Sequence, residues 1–139
     1  MVASVPAELT RPLRRDVLRP HQRVQELAAD EPPGCFAVCA YDGAELVAVG
    51  LVAPDGEPGG WRVRGMATLP ASRGRGAGTA VLEALIAHAR EHGATRIWCN
   101  ARAPALAFYE RSGFRVVSEE FELENIGPHR VMERSGAAP

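Results

Sequence analysis

The residues with most chemical potential lie between Leu69 and Leu82, where Pro70-Ala71-Ser72 leads into Arg73-Gly74-Arg75-Gly76-Ala77-Gly78-Thr79. Three alternating glycines let backbone N–H groups approach a ligand without side chains in the way. Apolar residues at helical spacing follow, so the glycines stand where a helix begins. Amides at a helix start lack intrahelical partners, and the helix dipole favours an anion there. With Arg73 and Arg75 alongside, the segment suits a pyrophosphate. A Walker A loop is excluded, because it requires a lysine and the chain has none. A dinucleotide fingerprint requires a third glycine where Thr79 stands, and no acidic residue closes a following strand. The plain alternative is a glycine-rich corner with solvated arginines.

The elements that must position this turn can be read outward from it. Trp61 to Leu69 is a strand whose Trp61, Val63 and Gly65 alternate with Arg62 and Arg64. Arg75 to His92 reads as a helix with Leu82, Leu85, Ile86 and Ala89 on its buried stripe and Gly93 as its cap. Upstream, Cys35 to Tyr41 and Glu45 to Ala53 form a hairpin around Asp42-Gly43. Leu9, Leu13 and Val17 mark a helix over Glu8 to Leu18, which Pro20 stops. Downstream come a strand over Thr95 to Asn100 and a helix from Pro104 to Gly113. A long strand over Phe114 to Leu123 and a last one over His129 to Glu133 complete the order. This is an α/β or α+β domain with a mixed sheet and helices packed on it.

The chain of 139 residues fits one domain, with a core of about 8–134 and a frayed tail at 135–139. Its formal net charge of −1 gives no global attraction to nucleic acid or to a membrane, so anion binding must be local. Cys35, Cys39 and Cys99 have neither disulfide nor zinc spacing and read as small buried hydrophobes in a reducing compartment. Neither a signal peptide nor a membrane span is expected from the residue pattern, and a cytoplasmic location is expected. No metal site is expected.

Arg73-Gly74-Arg75-Gly76-Ala77-Gly78 resembles the GNAT acetyltransferase pattern Arg/Gln-x-x-Gly-x-Gly/Ala. Met66 to Pro70 before it, the Leu- and Ala-rich helix after it, and Ala107-Phe108-Tyr109-Glu110-Arg111-Ser112-Gly113-Phe114 agree in order and spacing with the same family. The resemblance covers roughly Cys35 to Met132. The family's usual first strand is not evident before Glu8.

The resemblance implies the acyl-CoA N-acyltransferase fold, with a mixed, mostly antiparallel sheet splayed at its middle strands. It implies an enzyme that transfers acetyl from acetyl-CoA to a primary amine, by direct attack in a ternary complex. Arg73, Gly74, Arg75, Gly76, Ala77, Gly78 and Thr79 would hold the pyrophosphate. The main chain of Met66, Ala67 and Thr68 would pair with the pantetheine arm. Tyr109 would protonate the leaving thiolate, and Asn100 would bond the arm or the acceptor. By its position two residues past Asn100, and not by the resemblance, Arg102 is either a solvated loop arginine or a partner for an acidic group of the acceptor. For the proton acceptor the strand before the turn offers no carboxylate, leaving Glu119, Glu120, Glu122, His129 or a water chain. A non-catalytic acyl-CoA binder on the same fold is the alternative. The acceptor is a small-molecule or peptide amine, with neither nucleic acid nor membrane as partner, and a homodimer would be common for the family.

Overall fold

A computed structural model describes residues 1–124 and 126–136. The strands are β1 (Val2–Val5), β2 (Phe36–Asp42), β3 (Glu45–Pro54), β4 (Gly60–Thr68), β5 (Arg96–Arg102), β6 (Arg115–Val116), β7 (Phe121–Leu123) and β8 (Gly127–Ser135). The helices are α1 (Arg11–Leu18), α2 (Val24–Ala29), α3 (Ala77–Glu91) and α4 (Leu106–Glu110), with short 3-10 turns before α1, α3 and α4. The sheet runs β1-β2-β3-β4-β5-β8-β6, and β7 also pairs with β8. Every pairing is antiparallel except β4 with β5.

That one parallel pairing is short. β4 and β5 are in register only at Gly60, Trp61 and Arg62 against Arg96, Ile97 and Trp98. Beyond these residues the strands part, which is the splay expected at the middle of the sheet. Across the split, β5 is fully paired with β8 from Arg96 to Arg102. β4 stays paired with β3 through Thr68.

A bulge shapes the open part of β4. Val49 pairs with Ala67 and Leu51 with Arg64, so three steps on β4 answer two on β3. Gly65 takes the extra place with φ +63°, a left-handed conformation that a Cβ would disfavour. The bulge reverses which face successive side chains take. Trp61 and Val63 pack with α3, and after Gly65 it is Met66 that does so, while Ala67 joins the opposite layer with Leu13 and Cys39. A regular alternation past Gly65 would have put Met66 on the wrong face.

The main core lies between α3 and the sheet. Val81, Leu82, Leu85, Ile86 and Ala89 are buried there against Val38, Val52, Val63 and Ile97. Burial of each large aliphatic side chain contributes about 1.5–3 kcal/mol. On the other face α1 lays Leu13 against Cys39, Val49 and Ala67.

Four expectations are corrected. A first strand exists: Val2–Val5 pairs antiparallel with β2, so the fold begins before the expected core. Its four residues alternate exposed and half-buried at the sheet edge, which leaves little apolar signal to read. The expected helix from Glu8 is a 3-10 turn at Ala7–Thr10 before α1, and Leu9 is exposed. The expected long strand over Phe114 to Leu123 is broken into β6 and β7. Between them the Ser118 hydroxyl accepts the Val131 N–H at 2.8 Å, taking the place of a backbone carbonyl in the ladder. The last strand runs on to Ser135, and of the expected tail Ala137 to Pro139 lie outside the described residues. No helix among the described residues is long and apolar enough to cross a membrane.

Candidate active site

A cleft of about 830 Å³ opens where β4 and β5 part. One end is the glycine turn. α3 starts at Ala77 with Gly76 at its N-cap, φ +86°, and no side chain caps the helix. The first-turn amides of α3 are thus left without a side-chain partner. Those amides and the positive end of a 15-residue helix therefore remain available to an anion. Arg73, Gly74, Gly76, Ala77, Gly78 and Thr79 all line the cleft. Arg75 is exposed and does not line it.

The walls are the two parted strands. Met66, Ala67 and Thr68 line the cleft from β4, and Asn100 and Arg102 from β5. Because β5 does not pair with β4 at this level, the free edge of β4 can take another extended chain.

Tyr109 closes the floor. It is buried, packs edge-on against Phe108 and Phe114 at centroid distances of 5.1 and 5.5 Å, and still lines the cleft. Burial raises its phenol well above the ordinary value, and the nearby Cys99 adds to this while Arg102 opposes it. Tyr109 therefore holds its proton through neutral pH. The buried thiols are not nucleophiles. Burial pushes Cys39 up to about 11 and Cys99 up to about 12.

The four side chains considered as proton acceptors separate clearly. Glu119, Glu120 and Glu122 are exposed and do not line the cleft. His129 is buried, lines it, and places Nδ1 2.8 Å from the Gly127 carbonyl. A carbonyl only accepts, so in the neutral ring Nδ1 carries the hydrogen and Nε2 the lone pair.

The end of the cleft away from the glycine turn is built by residues that sequence reasoning passed over. Arg14, Arg19, Arg62 and Arg64 join Arg102 there. Arg14 lies on the same helical face as Thr10, and its guanidinium donates to the Thr10 hydroxyl at 3.1 Å and to Glu31 at 2.5 Å. Its i+4 spacing from Thr10 and its place beside Leu13 were the available signals for burial. Arg62 and Arg64 share Asp55, at 3.7 and 2.7 Å. Arg62 also lies 5.0 Å from the Trp98 ring centre. Arg102 donates to the Leu18 carbonyl at 2.5 Å, tying the end of β5 to the end of α1.

The acetyltransferase (GNAT) family model matches residues 4–114. The chain belongs to the GNAT family. It is an N-acetyltransferase by that membership. A relative of matching length, the Uncharacterized N-acetyltransferase YitI of Bacillus subtilis (strain 168), is 29% identical over 141 residues, covering 96% of this chain and 95% of that one. Among solved structures, the IAA acetyltransferase from Bacillus cereus superposes with a TM-score of 0.78 at 18% identity, over 97% of this chain and 98% of that one. An aminoglycoside 6′-N-acetyltransferase complexed with coenzyme A superposes with a TM-score of 0.79 at 17% identity, over 100% of this chain and 98% of that one. At such identities the superpositions establish the GNAT fold.

Proposed function

We propose that this GNAT enzyme transfers the acetyl group of acetyl-CoA to a primary amine, which attacks directly while both substrates are bound. The observation that carries the reading is the parting of β4 from β5 beside the uncapped start of α3. An extended ligand with a diphosphate at one end needs both features, at one cleft, and this cleft offers them together.

When bound, acetyl-CoA supplies an acetyl group activated as a thioester. The amides of Gly76, Ala77, Gly78 and Thr79 take the diphosphate, Arg73 and Gly74 flank it, and Arg75 adds charge from the exposed side of the turn. Main-chain groups of Met66, Ala67 and Thr68 pair with the pantetheine arm as a further strand would. One of these N–H groups polarises the thioester carbonyl. Asn100 bonds the arm from the β5 side. Tyr109 donates its proton to the departing thiolate sulfur. His129 receives the amine's proton at Nε2, directly or across one water.

The experiment is a titration calorimetry measurement of acetyl-CoA binding, followed by thiol release across amine classes. Binding with amine-dependent thiol release supports the reading. No affinity for acetyl-CoA would overturn it.

A further inference from the structure

Two arginines at the acceptor end of the cleft stand outside its ion pairs, although the exposed Asp30 carboxylate acts on one of them, Arg19, through its charge. Arg14 is answered by Glu31, and Arg62 and Arg64 by Asp55. Arg19 and Arg102 make no salt bridge among the described residues. Both instead donate to one group, the Leu18 carbonyl, at 3.2 and 2.5 Å. Two guanidinium groups are thus brought together at the end of α1, and each keeps donors beyond the one used. Burial lowers Arg19, the Arg102 charge lowers it further, followed by Arg14, and the Asp30 carboxylate opposes the shift. Burial also lowers Arg102. Like charges held together and partly dehydrated are relieved by an anion placed between them.

The wall is net positive. Besides Arg19 and Arg102 it holds Arg14, Arg62 and Arg64, of which Arg14 is paired with Glu31 and the other two share the single Asp55, and among the described residues the one carboxylate lining the cleft is the exposed Asp30. A polycationic acceptor would meet repulsion here. An acceptor with its own oxyanion would be held with that group on the arginines and its amine towards the parted strands. The same field favours the neutral form of the amine, which the reaction needs and which no carboxylate in the strand before the turn is placed to produce.

From the pairing of Arg19 and Arg102 on the Leu18 carbonyl, we infer that the acceptor is an anionic amine, a small molecule or chain end with an oxyanion near its reacting nitrogen. This rests on the acetyl-transfer reading. Carboxylate is the simplest such group, since a guanidinium pair matches its two oxygens.

The test is thiol release with acetyl-CoA and three kinds of acceptor: L-glutamate and L-aspartate, their fully amidated forms, and spermidine. Phosphoethanolamine serves as a fourth arm that separates a phosphate from a carboxylate. The expected result is a kcat/KM for one of the anionic amines about tenfold or more above its uncharged counterpart and above spermidine, the size of one charge-assisted interaction. Arg19→Gln and Arg102→Gln should each raise KM for that acceptor about tenfold while leaving acetyl-CoA affinity unchanged. Arg102→Lys should recover part of the loss, which separates charge from folding. Equal or better turnover of the amides or spermidine would overturn the inference. So would a loss of acetyl-CoA affinity in the two glutamine variants, which would assign the arginines to the cofactor. Failure of wild-type protein to bind acetyl-CoA in calorimetry would instead remove the acetyl-transfer reading beneath it.

Discussion

The guanidinium stem of Arg14 lies against the backbone of Gly65, so a Cβ added at Gly65 would stand 2.8 Å from Arg14 Nε and 3.1 Å from Cδ. Arg14 has little freedom to retreat, because Thr10 and Glu31 hold its far end. The contact joins α1 to the bulge that sets the facing of Met66 and Ala67. Gly65→Ala should therefore cost about 1–2 kcal/mol for the left-handed backbone, plus the displacement of Arg14. Urea unfolding should show a loss of about 2–3 kcal/mol. A stability within about 0.5 kcal/mol of wild type would mean that the bulge does not need its glycine.

At the glycine turn, Gly76→Ala places a Cβ at φ +86° on the N-cap of α3. There is open space around the position, so the cost is conformational, about 1–2 kcal/mol. The expected outcome is an acetyl-CoA affinity about tenfold weaker by calorimetry, since relief of the strain turns the amides away from the diphosphate. Unchanged affinity would remove these amides from the binding site.

Removal of the Tyr109 hydroxyl should slow turnover without unfolding the protein. Tyr109→Phe keeps the ring packing on Phe108 and Phe114. A kcat about 10²-fold lower, with acetyl-CoA affinity nearly unchanged, is expected of a lost proton donor. Because burial raises the phenol above its ordinary value of 10, the wild-type rate should show no fall from Tyr109 ionisation up to that pH. Equal rates for the two proteins would exclude the tyrosine from the chemistry.

His129→Gln should lower kcat/KM on the order of 10²-fold at pH 7, and by much less at pH 9.5, where a larger share of the amine is already neutral. A loss independent of pH would assign His129 to packing between Phe121 and the sheet instead.

His88 carries a stability prediction independent of the active site. It stacks on Phe36 at 3.7 Å and on His92 at 4.1 Å. Burial, then the neighbouring His92, lowers its folded-state value below the ordinary 6.5. The unfolded chain therefore binds a proton more readily than the folded one. The associated stability is complete above pH 6.5 and is lost as pH falls through the folded value. Thermal melts should show Tm falling from pH 7 to pH 5, and the fall should be shallower in His88→Phe. An identical slope in both proteins would place the effect elsewhere.

Much of this arrangement is legible in the sequence alone. The buried stripe of α3 was readable because Leu82, Leu85, Ile86 and Ala89 repeat with the helical period against one large sheet. The glycine turn was readable because its residue types have few other uses. Features resting on one residue's conformation or on distant partners were not. The bulge depends on Gly65, which in sequence is simply one glycine in an alternating strand. The Ser118 break depends on a hydroxyl 13 residues from its partner Val131. The arginine wall depends on α1, β4 and β5 meeting, and Arg19 and Arg102 find the same carbonyl from 83 positions apart in a chain whose local charge pattern is balanced. The edge strand Val2–Val5 escaped because half-burial leaves only a weak alternation.

The short seam between β4 and β5 has a thermodynamic corollary. With three residues on each side in register, the two halves of the sheet are joined by less backbone pairing than any neighbouring strands within the β1–β4 run. A guest lodged in that wedge completes a ladder the polypeptide leaves unfinished, so its binding energy adds to resistance against unfolding in proportion to the logarithm of its concentration. Resistance of this enzyme to unfolding would thereby follow how fully the wedge is occupied.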